Sequence, residues 1–88
     1  MTEDTRFIKL THVPYRNSQL YKDDADSCII RVKDIKLVFR SSLWDNFESI
    51  FKTMTIIDLE NKKEPVVVLE NIDTIYEKLE EVNNKDLY

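Results

Sequence analysis

Eighty-eight residues, 42% hydrophobic and 34% charged with a formal net charge of −4, predict one soluble globular domain spanning 1–88. That balance excludes a disordered tail, and no segment reaches the roughly 20 apolar residues needed to span a bilayer. The chain has no glycine, which excludes phosphate-cradling glycine loops and dinucleotide fingerprints, and its one cysteine excludes an internal disulfide.

A chain of this length buries roughly 60–65% of its unfolded surface, enough for one core. The lone cysteine fits a reducing compartment, and the opening MTEDTR carries acids with no apolar run behind it. No signal peptide is predicted, and a cytoplasmic location is expected. Residues 1–59 hold nine acidic and nine basic side chains, whereas 60–88 hold eight against four. The acidic excess therefore falls on the last turn, helix and tail, as a solvated face or a docking surface for a basic partner.

In chain order, Arg6 to Thr11 alternates, with Ile8 and Leu10 on one face, and reads as a first strand. Pro14 stops it. The polar connection His12 to Ser27 is long for a compact domain, so an extended strand or wide hairpin is expected inside it. Cys28–Val32 and Ile35–Phe39 read as two further strands. Their parity changes at Lys33-Asp34, where a bulge or tight bend would return Ile35, Leu37 and Phe39 to the core shared by Cys28, Ile30 and Val32.

Leu43, Trp44, Phe47, Ile50 and Phe51 recur at helical spacing, and Ser42 with Asp45 resembles a capping box. The pattern predicts a short extra helix over residues 42–52, with an aromatic-rich loop as the alternative. The stretch Thr53 to Leu79 organises the rest of the chain. Thr55, Ile57 and Leu59 share one side of a strand, with Met54 and Ile56 on the other. Without glycine, positive-φ turn residues are expected to be Asn or Asp, such as Asn61. Pro65 suits the first position of a strand, and the unbroken run Val66 to Leu69 predicts a strand covered on both faces. Asn71 is placed to cap a helix whose stripe is Ile72, Ile75, Tyr76, Leu79 and Val82, ending at Asn83-Asn84.

No active site is legible. His12 and Cys28 are single copies, read as a strand-end histidine and a buried small hydrophobe. Asp23, Asp24 and Asp26 lack the central glycine and terminal glutamate of a calcium loop. Ser41 and Ser42 have no histidine placed to activate them. Neither metal nor cofactor is expected, and no catalysis. The aromatic segment is expected to lid the open side of the sheet and complete the core. Otherwise Trp44, Phe47 and Phe51 stay exposed as a candidate partner surface, because clustered exposed aromatics mark protein partners or self-association. The alternative is a weak nucleic-acid-binding module in which Arg31, Lys33, Lys36 and Arg40 form a basic sheet face beside Phe39. The sequence pI of about 4.9 weighs against nucleic acid.

The order of RFIKLT, VKDI and TIIDLENKKEPVVVLENIDTIYEKL resembles the small flagellar FlbD/SwrD-type proteins and similar short phage and Bacteroides hypothetical proteins. Ile8 to Thr11 matches the opening strand, Val32 to Ile35 the bend, and Val68-Leu69-Glu70-Asn71 the strand-to-helix corner. The resemblance covers about half the chain. The last hairpin here lacks glycine, the first connection is longer, and Leu43 to Phe51 is inserted. LytTR-type DNA-binding domains are similar in strand-and-helix order. What the resemblance implies is the fold: α+β, four to five mostly antiparallel strands, with a C-terminal amphipathic helix packed on the sheet. The expected function is that of a small binding or accessory protein acting through protein–protein contacts.

Overall fold

The computed structural model describes residues 6–85. Strand β1 (Phe7–His12) is followed by the two-residue strands β2 (Tyr15–Arg16) and β3 (Gln19–Leu20), then β4 (Asp26–Arg31). Long strands β5 (Ile35–Asp45) and β6 (Ile50–Leu59), short β7 (Val66–Val68) and helix α1 (Ile72–Lys85) complete the chain. The main sheet has the order β4-β1-β7-β6-β5, all pairs antiparallel, and β2 pairs with β3 apart from it. The α+β architecture matches the sequence pattern.

The two faces of the sheet bury two separate cores. On the helix side, Ile8, Leu10, Ile30, Ile57, Leu59, Val66 and Val68 close around Ile75 of α1. On the other side, Met54, Ile56 and Val67 pack against Val13 and against Leu20 of the small hairpin. The run Val66 to Val68 is thus covered on both faces, as its unbroken apolar character predicts. Pro65 lies just before this central strand, where its missing N–H removes no ladder bond. Asn71 caps α1: its side-chain oxygen accepts the Thr74 N–H at 2.7 Å. The helix runs on to Lys85 rather than stopping at Asn83, and Tyr76 lies exposed beside the stripe.

One three-residue 3₁₀ turn, Val32–Asp34, joins the two outermost strands, β4 and β5. Four residue steps reach at most about 14 Å, whereas outer strands of a flat five-stranded sheet stand about 19 Å apart. The sheet therefore curls, and Ile30 at one edge joins the same core as Leu59 near the other. Past that turn the register slips between Ile35 and Leu37. Ile35 and Val38 meet the core, but Leu37 and Phe39 face outward, contrary to their expected place with Ile35. The bulge inverts every later side chain on β5.

Residues 42–52 form no helix. Strand β5 continues to Asp45, a four-residue loop follows, and β6 returns with Trp44 opposite Phe51 and Leu43 opposite Lys52. Nor is Ser42 a helix cap, since it pairs with Thr53. The small hairpin turns through Asn17 and Ser18, both at positive φ (52° and 63°), as a two-residue turn of the primed type requires. Ser49 is the third such residue, at 56°. Serine therefore takes two of the positions expected of Asn or Asp, while Asn61 takes none.

Candidate docking site on the hairpin arm

Strand β7 pairs with β6 only over Thr55 to Ile57. Among the described residues, Ile50 to Met54 pair with β5 alone, so the end of the β5–β6 hairpin is a two-stranded arm. The molecule is elongated accordingly, 48 × 24 × 20 Å. A lone ribbon is marginal in water, so something must brace it.

The brace lies on the face carrying Leu43, Asp45 and Lys52. Leu20 of the small hairpin packs there with Met54, and Leu43 lies against the same cluster. At the tip, the buried Asp45 carboxylate organises both the loop and the charges around it. Its Oδ1 accepts the N–H groups of Phe47 (3.0 Å) and Glu48 (3.4 Å), while its carbonyl accepts Ser49 N–H at 2.8 Å. Its Oδ2 lies 3.5 Å from Lys52 Nζ and 3.9 Å from Lys22 Nζ. Glu48 completes the set, 3.5 Å from Lys22 and hydrogen-bonded to Lys52. Two carboxylates and two ammonium groups thus tie the Lys22–Asp24 turn to the tip of the arm.

Burial pushes the Asp45 carboxyl up, but the Glu48 and Phe47 amides and the Lys52 ammonium outweigh it and hold it below its ordinary value of 3.8. The Lys52 hydrogen bond holds Glu48 below 4.5, and Glu48 in turn raises Lys52 above 10.5. A buried carboxylate needs this pairing, because a lone charge away from water is strongly disfavoured. A cleft of about 490 Å³ opens beside the brace, with Tyr21, Asp23, Asn46 and Phe47 among its walls.

The other face of the arm carries Trp44 and Phe51, with Ser42 and Thr53 behind them. The two rings meet edge to face, centroids 5.1 Å apart at 68°. Trp44 is half-buried, Phe51 is 68% exposed and Phe47, in the loop, is 84% exposed. The structure therefore pairs Trp44 with Phe51 on one face of the arm, while Phe47, in the loop, lines the cleft on the braced side.

The basic candidates lie in different settings. Arg31 ends β4, 3.9 Å from Asp34; Lys33 sits in the 3₁₀ turn, Lys36 at the bulge and Arg40 on the helix-side face of β5. His12 lies at a strand end opposite Asp26. Cys28 is half-buried opposite Leu10, and burial followed by the Glu70 charge pushes its thiol up. Among the described residues, no three His, Cys, Asp or Glu side chains gather as a metal site, and no helix is long and apolar enough to cross a membrane.

Sequence reasoning missed Lys22 and Asp45 as partners. A local signal was available: Glu48 and Lys52 sit four apart, and Asp45-Asn46 is a favoured turn pair between two apolar runs. Comparison of the chain with protein-family models, curated proteins and solved structures returns no match.

Proposed function

We propose that this chain is a small, non-catalytic binding module that engages a protein partner through the bare face and tip of the β5–β6 arm. The observation that carries the reading is the exposure of Phe51 beside Trp44 on a ribbon braced from behind, with Phe47 84% exposed in the loop that ends it. Large aromatics left in water gain roughly 1.5–3 kcal/mol each when covered, and rigid aromatic anchors dominate interface energetics. The brace holds them in place before the partner arrives, which lowers the ordering cost of association.

A photo-crosslinking residue in place of Phe47, used in the organism's own extract, tests the reading. One discrete adduct is expected, and it should vanish when Phe51→Ala is added to a chain that remains folded. An adduct equally strong with Phe51→Ala would overturn the assignment.

A further inference from the structure

We propose that the cleft beside the brace takes an arginine side chain of the protein partner, stacked on Phe47 and paired with Asp23 and the open oxygen of Asp45. The inference rests on the docking reading above and names the chemistry of the partner at the end of the arm.

The cleft opens between residues 19–24 and the loop 45–48, and its charge is incomplete. Asp23, Asp24, Asp45 and Glu48 line it, and the cations paired with them are Arg16, Lys22 and Lys52. Arg16 faces Asp24 at 3.9 Å, while both lysines serve Asp45 and Glu48. Asp23 is left over: it is exposed and makes no ion pair among the described residues. Four carboxylates against three cations leave the site one positive charge short.

An acidic rim alone is simply hydrated, but the inner end of this cleft lacks a donor. Asp45 is 0% exposed, and its Oδ2 accepts no hydrogen bond. The Lys52 and Lys22 ammonium groups stand off at 3.5 and 3.9 Å, beyond the roughly 2.7–3.2 Å of a hydrogen bond. They supply charge without the bond, and a buried acceptor left without a donor is costly. Lys22 also lies 3.5 Å from Glu48, so it keeps a carboxylate when an arriving guanidinium takes its side of Asp45.

The walls select guanidinium over ammonium. Tyr21 and Phe47 both line the cleft. Arg16 already covers one ring, its guanidinium carbon 4.8 Å from the Tyr21 centroid. Phe47, 84% exposed, offers a second ring with no cation over it among the described residues. A planar guanidinium stacks on such a ring while its edge donates to carboxylates, whereas an ammonium is a compact, strongly hydrated charge. At about 490 Å³ the cleft has room for one such side chain.

Amide NMR shifts of the full chain, titrated with N-acetyl-arginine methylamide, test the proposal. Saturable shifts are expected at Asp23, Phe47 and Glu48, with association roughly fivefold weaker for the neutral citrulline analogue. Asp23→Asn should weaken the arginine probe roughly threefold and Asp23→Glu should restore it. Phe47→Ala should weaken it similarly, with an unchanged circular dichroism spectrum. Phe51→Ala should leave the titration as it is, which separates the cleft from the bare face of the arm. A chain that crosslinks its partner through the arm yet ignores the arginine probe would sink this inference alone. Arginine binding in a chain whose crosslinking is indifferent to Phe51→Ala would instead sink the docking reading. Shifts that never saturate, equal affinity for the citrulline or lysine analogue, or wild-type binding by Asp23→Asn would overturn the proposal.

Discussion

The Glu70 carboxylate accepts two hydrogen bonds from Thr11, one from its backbone N–H at 2.9 Å and one from its hydroxyl at 3.0 Å. The two residues lie 59 positions apart. Strand β7 has already ended here, after Leu69 N–H donates to Thr11 carbonyl oxygen at 2.9 Å, so Glu70 satisfies a ladder donor that no further strand residue reaches. The side chain thereby fixes the point where the chain leaves the sheet for α1. Glu70→Ala should cost about 1–3 kcal/mol in urea denaturation, the range for orphaning a donor bonded to a charged group. Thr11→Val removes only the hydroxyl and should cost about 0.5–1.5 kcal/mol. Equal losses in the two variants would show that the backbone N–H bond contributes nothing.

Ser18 and Ser49 hold left-handed backbone without the freedom of glycine. An L-residue there costs roughly 1–2 kcal/mol, and only glycine escapes the clash of its Cβ. Part of that gain returns as extra entropy of the unfolded chain, so Ser18→Gly and Ser49→Gly should each stabilise by about 0.5–1 kcal/mol. The sites lie on different turns, so the gains should add in the double variant, as read from denaturation midpoints.

The strands with strong local patterning were legible: Ile8 and Leu10 inward, Met54 and Ile56 against Ile57 and Leu59, and Val66 to Val68 buried throughout. The arm was not, for a geometric reason. A four-residue loop between Asp45 and Ile50 makes Trp44 and Phe51 opposite partners, and their separation of seven mimics two helical turns. Leu37 and Phe39 misled because one bulge residue, invisible in sequence, reverses the parity of all that follows. The exposure of Phe47 and Phe51 was not legible either, since the same apolar residues also fit a lid over the sheet. Lys22 escaped notice because its partners, Asp45 and Glu48, are distant in sequence and meet it only after folding.

The brace makes a pH prediction whose sign follows from its shifts. Asp45 and Glu48 are depressed in the folded state, so their contribution is complete above ordinary values of 3.8 and 4.5 and fades as pH falls through the folded values. Lys52 is raised, so its contribution is complete below 10.5 and fades only as pH climbs through its folded value. Thermal midpoints should therefore change little through neutral pH and drop on acidification below pH 4.5. Lys52→Met should make the acid limb shallower, because it removes the ammonium that holds Glu48 down and that adds to the amides lowering Asp45. An acid limb of the same depth in that variant would assign the loss to other carboxylates.

The arm makes the last prediction, a separation of stability from binding. Phe47 is so exposed that Phe47→Ala should change unfolding free energy by no more than about 0.5 kcal/mol. Trp44 and Phe51 do contact each other, and a double-mutant cycle of their alanine variants should give a coupling of about 0.5–1.5 kcal/mol, the usual worth of an edge-to-face pair. All three substitutions should nonetheless weaken capture of the crosslinked partner, with Phe47→Ala the cleanest case because nothing in the fold depends on it. Trp44 is the single tryptophan, so its emission reports on this tip alone. It should shift to the blue and lose quenching by acrylamide when the partner covers the arm. Partner binding that leaves both signals unchanged would place the interface elsewhere on the molecule, and the aromatic tip would then be without a role in recognition.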